Sequence, residues 1–230
     1  RVRYEFNAHS TGFADAWNRT VRLAGCEYVS ILHQDDFLEP DFIQTMKGMM
    51  DAHPDAGHFF SACRYIDAGG APLPGAGAVE GDVVRLRGQE YARSYLMGVR
   101  SRRHIHRCPG LVTAKNIIVE QCPFRKEAGL IADDDCFYRV GRFTDVVGTS
   151  RVLSAMRQHG SSETARTKYL NFILARDYLF QIRYHDGPES LLGHEERTIL
   201  RKIGWDLLHR AQHEALLNGD AERLMEAASL

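Results

Sequence analysis

The sequence predicts an α/β fold that ends in a helical appendage. Three observations lead there. Strand-like and helix-like segments alternate over roughly the first 160 residues. A short run, Tyr28 to Leu32, is apolar on both faces apart from Ser30 and leads straight into "HQDD". After His159 the β-forming texture stops and long helical patterns take over.

"VRYEF" (Val2–Phe6) alternates as a strand does. Phe13, Trp17, Val21 and Ala24 recur at helical spacing, so residues 13–24 read as an amphipathic helix that Gly25 stops. Tyr28 to Leu32 suits a central strand covered on both sides. Pro40 fits the first turn of a helix over residues 40–52. "HFFSACRYI" (His58–Ile66) is a second strand, followed by a Gly/Pro-rich loop, a helix around Gln89–Met97, a strand at Leu111–Ala114 and a short helix from Ala132. "DVVGTS" (Asp145–Ser150) and "VLSAMRQH" (Val152–His159) look like edge strands. Ser161 and Ser162 can cap a helix to about Tyr184, which Gly187-Pro188 breaks. Leu200, Ile203, Leu207, Leu208, Ala211 and Ala215 mark one face of a second long helix, Gly219 stops it, and Asp220 can cap a last one. Trp17 and Trp205 fall on apolar helix faces and read as core.

Composition narrows the function. Lys+Arg 29 against Asp+Glu 30 gives a net charge of −1, which argues against a general polyanion binder, nucleic acid included. No apolar run approaches the roughly 20 residues of a membrane span. Five scattered cysteines (Cys26, Cys63, Cys108, Cys122, Cys136) without a CxxC pair argue for reduced thiols in a cytoplasmic setting and against a zinc cluster.

Three polar clusters carry the chemistry. Asp35 and Asp36 stand where a strand ends, the place where open α/β sheets bind ligands. Adjacent carboxylates suit Mg2+ or Mn2+ held against a diphosphate; a solvated turn in which Asp36 caps the next helix is the alternative. "IADDDCFYRVG" (Ile131–Gly141) places three acids at a helix start, more than a cap needs, so one can serve as a general base. "MRQHGSSET" (Met156–Thr164) projects Arg157 and His159 from one side of a strand, toward a phosphate, a metal or a surface salt bridge. The basic run Arg100–Arg107 suits a phosphate-bearing or lipid-linked acceptor, or peripheral contact with an anionic membrane surface; a solvated loop is the alternative.

In this order and spacing, the clusters resemble the family 2 glycosyltransferases of the GT-A fold. Residues 12–43 resemble the stretch in which a helix carrying an Asn leads to a strand ending in the DXD motif. "ADDDCFYRV" resembles the pattern that carries the catalytic base, "RQHGSSET" the closing R-x-H segment, and "YIDAGG" (Tyr65–Gly70) a recurrent loop. The resemblance implies a partial GT-A, Rossmann-like nucleotide-diphospho-sugar transferase sheet over residues 1–160 and a helical extension over 161–230. It implies Asp35 and Asp36 as ligands of Mn2+ or Mg2+, with His159 and His33 as further metal candidates. Asp133 is the implied base, six residues before Arg139, and Asp134 the alternate. Asn18 and Arg157, with Asp35 and Asp36, would bind the donor. The implied activity is metal-dependent inverting transfer from a nucleotide-diphosphate sugar to a saccharide or lipid-linked acceptor hydroxyl, in bacterial surface polysaccharide or glycoconjugate synthesis, in the cytoplasm or at the inner face of the membrane.

Two departures stand against the pattern. His33 occupies the first DXD position, and imidazole accepts Mn2+ more readily than Mg2+. The family's opening strand-helix-strand, with its nucleotide-base pocket, is not found, so about the first 50–60 residues of such a domain are expected to be missing. A non-catalytic, degenerate glycosyltransferase-like binding module is the alternative these departures favour. A nucleotidyltransferase would want a Gly-rich phosphate loop near its start, and none is present.

Overall fold

The computed structural model describes residues 2–9, 11–77, 82–185 and 192–230. Helix α1 (Phe13–Leu23) precedes strands β1 (Tyr28–Val29) and β2 (Phe37–Leu38), and α2 (Phe42–Ala52) leads into β3 (Ala56–Ile66). A hairpin joins β3 to β4 (Pro72–Gly77), and β5 (Val84–Leu86), α3 (Gly88–Ser101) and β6 (Leu111–Ala114) follow. Then come α4 (Ala132–Val140), β7 (Asp145–Arg157) and the helices α5 (Glu163–Arg166), α6 (Leu170–His185), α7 (His194–Leu217) and α8 (Ala221–Ser229). The α/β class is as expected. Gly187-Pro188, expected to break a helix, lies outside the described residues, as does part of the Gly/Pro-rich loop.

Seven strands form one mixed sheet in the order β1-β6-β3-β7-β2, with β4 added to β3 and β5 to β7. Only β3 and β7 run parallel, from Ala56 opposite Asp145 to Ile66 opposite Arg157. Their carboxyl ends therefore reach the same edge of the sheet, and this positions the site described below.

Three strand expectations are corrected. Tyr28–Leu32 is not central: β1 is two residues long and lies at one end of the strand order, against β6. It is apolar on both sides because Val29 and Ile31 pack on the main core while Tyr28 packs on the opposite one. The two expected edge strands over 145–159 are one 13-residue strand, β7, in the middle of the sheet. The register shifts between Thr149, opposite Ser61, and Val152, opposite Ala62. This bulge turns Arg151 out toward Asp41 and Thr45, and it breaks the alternation that a continuous strand shows. "VRYEF" is no strand. Val2, Tyr4 and Phe6 are exposed, and no strand among the described residues pairs with them.

Helix α2 covers one face, where Phe42, Met46 and Met49 meet Phe59, Val112, Val147 and Leu153. The other face carries the larger core, which runs without a break from Ala14 in α1 to Ala227 in α8. Helices after residue 160 thus share the core of the sheet. The expected single helix to Tyr184 is two, α5 and α6, parted at Thr167–Tyr169, where Tyr169 takes φ +55°. Ser162 Oγ accepts from Ala165 N at 3.3 Å, and Asp220 caps α8 by accepting from Arg223 N at 2.9 Å. The expected α7 stripe is buried, but Trp205 is 54% exposed. Its position sits beside the stripe, not on it. Gly148 lies where a Cβ would stand 2.1 Å from Phe60 Cζ, so β7 keeps no side chain opposite that ring.

Buried histidines shape stability. His58, His106 and His185 are fully buried. Tyr91 Oη bridges His106 Nε2 at 2.8 Å and His58 Nε2 at 3.3 Å, and His58 Nδ1 meets Thr113 Oγ1 at 2.8 Å. Burial holds His58 down at about 3 and His185 at about 4, and it holds His106 well below the usual value. Such groups stay neutral when folded and take up protons when unfolded. Stability is therefore full above about pH 6.5 and falls as pH drops toward 4, by about 1.4 kcal/mol per pH unit for each histidine. Urea midpoints measured between pH 7.5 and 5 are expected to drop steeply. Replacing His58 by Gln is expected to flatten that slope, and an unchanged slope would contradict the assignment.

Candidate active site

The acidic turn after β1 packs against the end of β7. Asp36 is buried, its side chain only 3% exposed, and Oδ1 accepts the Arg157 backbone N–H at 3.0 Å. His33 Nδ1 stands 3.5 Å from Asp36 Oδ2, and the His33 ring stacks on Trp17 at 5.6 Å. Asp36, then the Cys108 thiol, hold His33 protonated, up to about 10. Asp35 turns outward. Its Oδ2 meets His159 Nε2 at 2.6 Å, and that imidazole holds the Asp35 carboxyl below its usual range. Asp67 makes the neighbouring hairpin: Asp67 Oδ1 accepts from Ala71 N at 2.8 Å, and Gly70 closes the turn at φ +94°, where glycine is favoured.

The three aspartates at the start of α4 have three different environments. Asp135 is fully buried between Arg139, whose Nη2 donates at 2.8 Å, and Arg125, whose Nη2 donates to the other oxygen. Asp134 accepts from Tyr95 Oη at 2.5 Å and Tyr178 Oη at 2.8 Å. Asp133 has no side-chain donor among the described residues; its Oδ1 accepts only the Asp134 backbone N–H, at 2.9 Å. Burial, then the negative charge of Asp134, push the Asp133 carboxyl up to about 6. Arg107 and His33 pull it back down. Arg107 and His33 are thus the cations whose charge reaches Asp133.

The structure thus brings Asp35, Asp36, His33, Arg157 and His159 together, and of these His33 acts on the Asp133 carboxyl. Three of the expected residues also make bonds within the protein. His33, expected as a metal candidate, faces Asp36 at 3.5 Å, and that carboxylate raises the imidazole to about 10. Arg157, expected to face a diphosphate, spends its guanidinium on carbonyls: Nη1 donates to Asp67 O at 2.9 Å and Ala68 O at 2.7 Å, and Nε to Asp35 O at 3.2 Å. It acts as a clip between two loops. Asn18, expected to line a donor pocket, exchanges two bonds with the Phe124 backbone, at 2.7 and 2.9 Å. The sequence reading missed Tyr95, Tyr178 and Cys108, none of which lies in a motif. Arg107 was visible only as one of a basic run, in which Arg100 pairs with Asp206 at 3.1 Å and Arg102 and Arg103 are exposed. Among the described residues no helix is long and apolar enough to cross a membrane.

A divalent cation would find few protein ligands among these donors. Among the described residues no three of His, Cys, Asp and Glu are grouped closely enough to hold one. The outward Asp35 carboxylate and the His159 imidazole offer two ligands, with Asp36 behind them. That set fits a cation that keeps waters and draws its other ligands from a substrate phosphate, and it does not fit a closed protein cage.

Residues 1–72 match the family model described as Glycosyl transferase family 2. The S. aureus TarS structure, residues 1–349 in complex with UDP-GlcNAc, superposes with a TM-score of 0.52 at 11% identity, over 96% of this chain and 72% of that one. The chain therefore shares the fold of that structure, and its first 72 residues are similar to the family 2 glycosyltransferases. An uncharacterized protein, y4gI, of Sinorhizobium fredii (strain NBRC 101917 / NGR234) is 36% identical over 56 residues, which are 24% of this chain and 6% of that relative. The matched stretch is thus a small part of that curated relative. In this glycosyltransferase fold, Asp35, Asp36 and the hairpin at Asp67 fall inside the matched residues 1–72, whereas α4 and the end of β7 lie beyond them.

Asp135 anchors α4. Replacing it by Asn removes the charge between two arginines, one fully buried and one mostly so. Breaking such a buried set by removing one partner costs about 3–5 kcal/mol. Urea unfolding of Asp135→Asn is expected to show a loss of that size, and a loss below about 1 kcal/mol would show that the network is dispensable.

Proposed function

We propose that this chain is the catalytic part of an inverting, metal-dependent glycosyltransferase that uses a nucleotide-diphosphate sugar and an acceptor hydroxyl. The observation that supports the reading is Asp133: a carboxyl without a side-chain partner among the described residues, pushed up to about 6 and acted on by His33 of the turn that carries Asp35. A general base works best when its pKa lies near the operating pH. Asp133 takes the proton of the acceptor hydroxyl as that oxygen attacks the anomeric carbon. Asp134 helps to raise Asp133 and, with its oxygens taken by two tyrosine hydroxyls, is the less suitable of the two as base. Asp35 and His159 would hold the cation, with Asp36 fixing the turn that presents Asp35. When bound, a cation of the Mn2+ or Mg2+ class neutralises charge on the leaving nucleoside diphosphate. His33, itself cationic, adds positive field on the same side.

Residues 1–160 would carry the catalytic acids, and the helices after them complete the core and supply partners to α4. A saccharide or lipid-linked acceptor of bacterial surface polysaccharide synthesis, met in the cytoplasm at the inner face of the membrane, fits this chemistry. The pairing of His159 with Asp35 and the commitment of Arg157 to carbonyls favour a second reading, a binding module without turnover. Catalysis separates the two.

Asp133→Asn is expected to lower transfer or donor hydrolysis by about 100- to 10,000-fold, as loss of a general base does. Donor affinity is expected to stay within a few-fold, and equal loss of both would move Asp133 to the donor side. In the wild type, kcat is expected to rise with pH through about 6, as the Asp133 carboxyl ionises, and then level off. A rate that is flat between pH 5 and 7.5 would exclude Asp133 as the base. Screening nucleotide sugars for hydrolysis with Mn2+, with Mg2+ and with chelator tests the cation; full activity in chelator would remove it from the scheme.

A further inference from the structure

Four arginines border the cleft and the base of α4, and three are satisfied. Arg125 and Arg139 pair with Asp135, and Arg157 donates to three backbone carbonyls. Arg107 differs. Its side chain is mostly buried, and its Nε is buried with no hydrogen-bond partner. No ion pair among the described residues contains it. Its guanidinium lies over the Tyr65 ring, 5.8 Å from the centre, a neutral neighbour that leaves its charge without a carboxylate partner. A guanidinium carries five donors and cannot shed its charge, so leaving it desolvated and unpaired is costly.

Tyr65, next to last in β3, Tyr95 on α3, and Asp133 and Asp134 at the start of α4 are the groups its charge acts on. Arg107 thus stands on the side of the candidate base, one residue before Cys108. The neighbouring aspartates attract it through space without closing on it. Asp134 is occupied by two tyrosines and Asp133 by a backbone amide.

We propose that Arg107 is an anion-binding residue that takes a substrate phosphate beside Asp133. The planar fork suits two oxygens of a phosphate, bound in bidentate fashion. Only the name of the substrate rests on the glycosyltransferase reading. The phosphate is either one borne by the acceptor near its reacting hydroxyl or one of the donor diphosphate. Position beside the base favours the acceptor.

The test uses the whole chain, with inorganic phosphate, pyrophosphate and UDP-GlcNAc as probes in calorimetric titration, on wild type, Arg107→Lys and Arg107→Met. Wild type is expected to bind phosphate or pyrophosphate. Arg107→Met is expected to bind them about tenfold or more weakly, as loss of a charge-assisted contact requires, and Arg107→Lys to recover part of the affinity. Melting without ligand supplies the control: Arg107→Met is expected to melt at or above the wild-type temperature, because it removes an unpaired buried charge. UDP-GlcNAc binding that survives in Arg107→Met assigns the phosphate to the acceptor; loss in parallel assigns it to the donor. Anion binding equal in wild type and Arg107→Met, no anion binding in wild type, or a marked drop in melting temperature for Arg107→Met would each overturn the proposal. Hydrolysis of UDP-GlcNAc is scored separately. Its absence together with Arg107-dependent phosphate binding would count against the enzyme reading and leave this inference standing.

Discussion

The buried carboxylate of Asp36 is the contact on which the cleft depends. A charged group at 3% exposure needs partners, and it finds two: the Arg157 amide at the end of β7 and the His33 imidazolium of its own turn. The first bond ties the 33–36 turn to the carboxyl edge of the parallel pair. The second neutralises the charge and, through the Trp17 stack, ties the same turn to α1. With Asp36 fixed inward, Asp35 has to face outward, and it does so beside His159. Two adjacent carboxylates would repel if both faced one side; burying one and presenting the other resolves the conflict.

The same logic separates the acids of α4. One helical turn carries three carboxylates, and the surroundings assign each a different state. Asp135 is held by guanidinium groups and fixes the helix. Asp134 is held by the hydroxyls of Tyr95 and Tyr178. Asp133 receives the least help from neighbouring donors, and burial with the charge of Asp134 raises its carboxyl to about 6. Pairs of titratable groups whose environments push their pKa values apart mark acid–base assignments. Here the division comes from partners on α3, α6 and the loop at Arg125.

Much of this was legible in residue order, and the failures have physical causes. α4 and β6 were legible because their patterns are local: an acidic first turn in one, a short apolar run before a polar boundary in the other. The buried face of α7 was legible from helical period alone. β7 was misread because a bulge at Ser150–Arg151 reverses the alternation on which strand reading rests. β1 was placed centrally because burial on both faces looks the same for a central strand and for a covered end strand. In the cleft, Asp35, Asp36, His159 and Asp133 came from motif spacing. The bonds that His33, Arg157 and Asn18 make within the protein were not legible, because they depend on what lies across from each side chain. Sequence spacing does not show that Arg157 meets the carbonyls of Asp67 and Ala68, or that Asn18 meets the backbone of Phe124.

The helices after residue 160 bear directly on the chemistry. Tyr178 of α6 donates to Asp134, and Asp177 beside it accepts the Leu130 N–H at 2.9 Å, just ahead of α4. Gln181, one turn further along α6, receives the Arg125 guanidinium, which also holds Asp135. One face of α6 therefore fixes the approach to α4, the charge on Asp134 and the anchor at Asp135. The ionisation of Asp133 depends on how deeply it is buried and on whether Asp134 is charged. Both conditions are set from α6 as much as from the sheet. A catalytic unit drawn to end at residue 160 would hold the aspartates but not the environment that distinguishes them.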